Sequence, residues 1–133
     1  MRAYLSLPER GGSQAVAGAI RAALAEAGHE ELPPAPAALG GVTKSERDHF
    51  LLAVDRLHEA DLLIADASAP SARVGWEVAW FLARGRLVVV CCTKDARGML
   101  SPMLAGNPSP WQKLVVHADA HELKGALTSL LQG

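Results

Sequence analysis

Cysteine, long apolar runs and an excess of charge of either sign are all missing or scarce in this sequence, and each absence narrows what the chain can be. Its two cysteines, Cys91 and Cys92, are adjacent within an apolar run. Neighbours in sequence supply neither a disulfide framework nor a CxxC redox motif. They read as buried, inert thiols of a protein in a reducing cytoplasm. No apolar run approaches the roughly 20 residues that span a bilayer, and the stretch MRAYLSLPERGG holds too few apolar residues for a secretory signal. Thirteen basic residues face fourteen acidic ones, for a net charge of −1. That balance gives no electrostatic reason to expect nucleic acid or an anionic membrane as partner. What the chain does have is apolar side chain. Half of its 133 residues are hydrophobic, which argues against disorder over most of the length and suits a single domain, 1–133, with a real core.

Three short runs, Ala3–Leu7, Leu62–Ala65 and Leu87–Cys92, read as buried strands, and Lys113–Val116 is a weaker fourth. Their apolar character is nearly continuous, as for parallel strands covered on both faces. Helical patterns lie between them. Ser13–Ala27 carries Val16, Ile20, Ala23, Leu24 and Ala27 on one face, with Gly28 as a stop signal. Thr43 and Glu46 form a capping-box pattern ahead of Phe50, Leu51, Val54 and Leu57. A third helix is expected from near Val74 to Ala83, with Gly85 just beyond, and a last one from Asp119 through Leu123, Leu127, Leu130 and Leu131. A short edge strand fits His29–Leu32, within a Pro/Ala-rich segment to Gly41 that otherwise reads as a loop over a pocket. Alternating strands and helices with short links predict an α/β fold, a doubly wound parallel sheet of about five strands flanked by helices.

Ligands of such sheets bind beyond the carboxyl ends of the strands. Three loops would then line a site: Leu7–Ser13, Asp66–Val74 and Thr93–Asn107. In the first, Gly11 and Gly12 let backbone N–H groups approach an anion at a helix start, and Arg10 could clamp a phosphate. The same residues also describe an ordinary strand-to-helix turn capped by Ser13. In the second, Glu77 is expected in the first turn of the third helix, where a carboxylate complements the helix dipole. A carboxylate so placed can attack an anomeric carbon, as in retaining glycoside chemistry. A solvated Glu that only complements the dipole fits the same spacing.

The ordered set Tyr4, Arg10-Gly11-Gly12, Ala60-Asp61, Pro70-Ser71, Gly75-x-Glu77 and Ser101-x-Met103-x-x-Gly106-Asn107 resembles the nucleoside 2-deoxyribosyltransferase superfamily. Within it the pattern is most similar to the 2'-deoxynucleoside 5'-phosphate N-hydrolases. The resemblance spans almost the whole chain. It implies a flavodoxin-like fold, a homodimer, no cofactor or metal, and cleavage of the base–sugar bond of a nucleoside 5'-monophosphate. It makes Glu77 the nucleophile and Tyr4 a group at the sugar, expected at the end of the first strand. Ser71 and Gly75 would lie beside the 5'-phosphate, with Arg10, Gly11 and Gly12 across the pocket, and Arg73, where the pattern has a glycine, would either block the phosphate or add a positive contact. Ser101, with Met103 and Asn107 in its motif, would complete the site of a neighbouring subunit. The resemblance also implies that deoxyribosyltransferases carry a carboxylate where Ser71 stands; a hydroxyl tolerates an adjacent phosphate, so Ser71 points to a nucleotide.

Some positions depart from the pattern. The Asp that the resemblance implies eight residues before Asp61 is Ala53, and Asp55 lies about 200° round the helix from it. Arg73 replaces a glycine, and Leu7-Pro8-Glu9 replaces a Gly-Ser-Ile. Related readings therefore stay open: a cytidylate-type ribonucleotide hydrolase, a deoxyribosyltransferase, or a non-catalytic nucleotide-binding domain. Among the histidines, His49 and His58 could each protonate a base from the second helix. His117 and His121 need not share a helical face, and no cluster has metal-ligand spacing. Trp76 and Trp80, four apart, suit core or interface packing. Trp111 could anchor a loop near the pocket.

Overall fold

The first strand, β1 (Arg2–Ser6), alternates its side chains between two apolar layers. Ala3 and Leu5 join one buried cluster, and Tyr4 joins the other. The computed structural model describes residues 1–33 and 45–132. In it β1 is followed by α1 (Gln14–Glu26), β2 (Glu30–Glu31), α2 (Glu46–Glu59), β3 (Leu62–Asp66), α3 (Ala72–Ala83), β4 (Leu87–Thr93), α4 (Pro102–Ala105), β5 (Gln112–His117) and α5 (Ala120–Gln132). The strands form one sheet in the order β2-β1-β3-β4-β5, parallel throughout. This is the flavodoxin-like order, in which the chain reverses its direction of winding between β1 and β3.

The near-continuous apolar runs have the predicted cause. On β3, Leu62 and Ile64 face the layer of α1 and α5, while Leu63 and Ala65 face the layer of α2 and α3. Val89 and Cys91 of β4 divide from Val88 and Val90 in the same way. Each fully buried aliphatic side chain contributes about 1.5–3 kcal/mol, so this double coverage holds the sheet. Both cysteines are buried and free, and burial pushes both thiols up from their ordinary value.

Local signals explain the helix ends. Ser13 caps α1 by accepting from the Val16 N–H, and Gly28 follows at φ +77°, a left-handed conformation that favours glycine. Asp119 accepts from the Glu122 N–H at 2.8 Å, as its spacing predicts. Two boundaries differ from expectation. The cap observed on α2 is Ser45, which accepts from the Asp48 N–H; Thr43 and most of the Pro/Ala-rich loop lie outside the described residues. Ser71 caps α3 by accepting from the Val74 N–H, so the helix starts at Ala72, two residues before Val74.

Half of the expected apolar face of α2 is exposed. Leu57 is buried, but Phe50 and Leu51 are 50% and 47% exposed. Trp76 on α3 lies edge-on to Phe50, 5.3 Å between ring centroids, and is itself exposed. Trp80 packs instead against His58 and under the Arg84 guanidinium. Trp111 is not near the carboxyl ends of the strands. It precedes β5 at the opposite end of the sheet, where its carbonyl accepts from the Val88 N–H. Among the described residues no helix is long and apolar enough to cross a membrane.

Candidate active site

Glu77 is the centre of a buried polar cluster in an otherwise apolar layer. Because α3 starts at Ala72, Glu77 falls in its second turn and not its first. The helix dipole acts mainly over the first turn, so the side-chain partners of Glu77 matter more. The Ser6 hydroxyl donates to Oε1 at 2.8 Å, and the Tyr4 phenol donates to Oε2. Tyr4 sits in mid-strand and Ser6 ends β1. Two residues apart on a strand, they point to the same face and reach the two oxygens of one carboxylate. Ser6 escaped the sequence reading, although its position two residues after Tyr4 was a usable signal.

Arg73, one turn before Glu77, completes the cluster. Its Nε lies 3.5 Å from Glu77 Oε1, and its terminal nitrogen donates to the Tyr4 oxygen at 3.2 Å. Burial first, and then the Glu77 carboxylate, push the Tyr4 phenol above its ordinary value near 10, while Arg73 pulls it the other way. The phenol is therefore a donor at neutral pH. A carboxylate, a phenol, a hydroxyl and a guanidinium thus share one buried centre beside the switch between β1 and β3.

The turn leading into α3 is braced by short-range bonds. Asp66 Oδ1 accepts from the Ser68 N–H at 3.0 Å, and Ser68 Oγ accepts from the Thr93 N–H at 3.1 Å. Ser71 Oγ donates to Glu9 Oε1 at 3.2 Å, and the Arg73 N–H donates to the same oxygen at 3.4 Å. The first loop therefore docks on the start of α3 through Glu9, a contact the sequence did not signal.

Among the described residues, three clefts border these elements. One, of about 440 Å³, opens between α2 and α3; it is lined by Glu77, Arg73, His49, Phe50, Ala53 and Trp76, among others. Position 53, where the resemblance leads one to expect an Asp, thus faces the same space as Glu77, and so does His49. Asp55 is exposed and outside that cleft, so it does not take the place of the absent carboxylate. A second cleft, also about 440 Å³, brings Ser71 and Gly75 together with Ser101, Met103 and Asn107. A third, about 400 Å³, is lined by Arg10, Gly11 and Gly12 with Asp66. Gly11 has φ +76°, and a Cβ there would come within 3.2 Å of the Ala69 side chain, so glycine is required for the loops to approach. The residues picked from sequence therefore fall into three clefts, except Tyr4, which reaches the site only through Glu77 and Arg73, and Glu9 bridges the first loop to α3. Volumes of this size suit a small-molecule ligand. Ser101 caps α4 by accepting from the Met103 N–H, and Met103 is 80% exposed.

Fold and site together define a flavodoxin-like α/β protein with a carboxylate-centred cleft at the topological switch of its sheet. No established family profile matches the chain. Curated relatives do. The chain is 34% identical over its full length to "Putative 2'-deoxynucleoside 5'-phosphate N-hydrolase 1" of Thermofilum pendens, covering 96% of that protein. It is 40% identical, over 39% of its own length and 37% of the relative's, to the protein of the same name from Syntrophotalea carbinolica. Among solved structures it resembles the CMP N-glycosidase BcmB of Clostridium botulinum, with a TM-score of 0.70, 16% identity, and 98% and 99% of the two chains covered. It also resembles a conserved protein of Enterococcus faecalis, with a TM-score of 0.62, 17% identity, and 98% of each chain covered. At these identities the structural likenesses establish the fold. The full-length relative establishes more: the chain belongs to the 2'-deoxynucleoside 5'-phosphate N-hydrolase family of the nucleoside 2-deoxyribosyltransferase superfamily.

Proposed function

We propose that this protein hydrolyses the N-glycosidic bond of a (deoxy)nucleoside 5'-monophosphate, with Glu77 as nucleophile. The observation that carries the reading is the Glu77 carboxylate, 2% exposed yet bordering the cleft between α2 and α3, with Ser6 and Tyr4 fixing its two oxygens. In this reading a carboxylate oxygen bonds to C1' as the C1'–N bond breaks, and the base leaves with the electron pair and takes up a proton. Water then adds to C1' of the glycosyl ester, giving up a proton, and frees Glu77. Tyr4 and Ser6 hold the carboxylate in line for attack, and orientation of this kind can supply several kcal/mol of the barrier. With Ala53 unable to move a proton, His49 in the same cleft is the residue that would protonate the leaving base.

Ser71 and Gly75, with Arg10, Gly11 and Gly12, would surround the sugar-phosphate end. Ser101, Met103 and Asn107 would serve a second copy of the chain. The uncovered apolar side chains Phe50, Leu51 and Trp76 support such a copy, since exposed apolar patches mark interaction surfaces. Incubating the protein with a panel of ribo- and deoxyribonucleoside monophosphates, and assaying free base by chromatography, tests the reading. Base release lost in Glu77→Ala supports it, and binding without turnover across the panel sinks it. That second outcome is what a non-catalytic nucleotide-binding domain would give, a reading favoured by Ala53 and by the Arg73 guanidinium lying against Glu77.

A further inference from the structure

Arg73 belongs to two parts of the site at once. Its backbone N–H, with the Ser71 hydroxyl, holds the Glu9 carboxylate at the start of α3. Its side chain runs the other way, one turn along the helix or about 6 Å, to Glu77 and Tyr4. The start of α3 is thus already filled by an anion, which the chain supplies from its own first loop. The nucleophile is already paired with a cation.

Neither contact is tight. Glu9 is exposed, and its contacts of 3.2 and 3.4 Å are long for a carboxylate acceptor. Arg73 Nε stands 3.5 Å from Glu77 Oε1 with 29% of its side chain exposed, whereas charge-assisted N–H···O bonds close to about 2.7–2.9 Å. A phosphate offers the same donors more charge, and it offers guanidinium a bidentate acceptor.

We infer that Arg73 makes the availability of Glu77 depend on the 5'-phosphate of the substrate. The phosphate displaces Glu9 from the start of α3 and draws the Arg73 guanidinium off Glu77, which leaves the carboxylate free to attack C1'. The inference rests on the proposed function and deepens it by naming the residue that selects nucleotide over nucleoside. Energetically it is binding energy from a remote, non-reacting group spent at the reacting centre.

The test compares base release from a deoxynucleoside 5'-monophosphate and from the corresponding deoxynucleoside, by wild type, Arg73→Gly and Arg73→Met. Met keeps the helix propensity that Gly lowers. Wild type is expected to prefer the nucleotide at least tenfold in kcat/KM, and inorganic phosphate is expected to speed its cleavage of the nucleoside. In both variants nucleoside cleavage should rise, KM for the nucleotide should rise, and the response to inorganic phosphate should vanish. Glu9→Gln should lower KM for the nucleotide several-fold. Equal losses on both substrates in the Arg73 variants, or no phosphate response in wild type, overturn the inference and leave the proposed function standing. No base release by wild type from any monophosphate removes the proposed function, and the inference with it.

Discussion

The Ser6 hydroxyl lies 2.8 Å from Oε1 of Glu77, joining the last residue of the first strand to the second turn of α3, a helix that begins only at Ala72. With the Tyr4 phenol on the other oxygen, turning the carboxylate plane away from the observed one loses a buried donor. Replacing Ser6 by Ala removes one hydrogen bond to the buried Glu77 carboxylate, a loss of about 1.5–3 kcal/mol, and replacing Tyr4 by Phe removes one such bond together with the one that Arg73 donates to the phenol oxygen. Both variants should unfold at lower denaturant concentration. Under the proposed function both should also release base about 10- to 100-fold more slowly, with the larger share of the effect in kcat.

Tyr4 is the sole tyrosine of the chain, so absorbance near 295 nm follows its ionisation alone. Its titration should fall above the ordinary value near 10, with burial the largest cause and the Glu77 charge the next. Glu77→Gln should bring the midpoint down without returning it to the ordinary value, because burial remains. Arg73→Met should raise it further. The folded-state value lies above the unfolded one, so this group's contribution to stability is complete below about pH 10 and is lost as pH rises beyond it. A midpoint unmoved by Glu77→Gln would contradict the cluster geometry.

His49 and Ala53 line the cleft that Glu77 borders. If His49 protonates the leaving base, His49→Gln should slow base release about 100-fold with little change in nucleotide affinity. Adding Ala53→Asp to that variant should recover part of the loss, since it restores a proton-carrying group one turn away on the same helix. A His49→Gln enzyme as fast as wild type would assign the protonation elsewhere.

Phe50 and Trp76 meet edge to face and are exposed. Sedimentation of the wild type should show self-association that Phe50→Ser with Trp76→Ser weakens, with the far-ultraviolet spectrum retained. Loss of base release in parallel would tie the site to the second copy.

The sequence by itself determined the layers. Continuous apolar runs on Leu62–Ala65 and Leu87–Cys92 require cover on both faces, and helices with one buried stripe supply it. That is why the α/β class, the parallel sheet and the helix stops at Gly28 and Gly85 were legible, and why the loop residues of the motif, though not Ala60-Asp61 or Tyr4, fell near the carboxyl ends of the strands. Tertiary structure decided what these residues touch. Arg73 and Glu77 are one helical turn apart on α3, so their pairing is local; nothing local brings Glu9 to Ser71, turns Ser6 towards Glu77 or carries Arg73 to Tyr4, because those contacts join residues brought together by strand order and loop docking. It also decided that Phe50 and Leu51 stay uncovered: a helical pattern states that a face is apolar, and the packing of the rest of the chain states whether anything meets it.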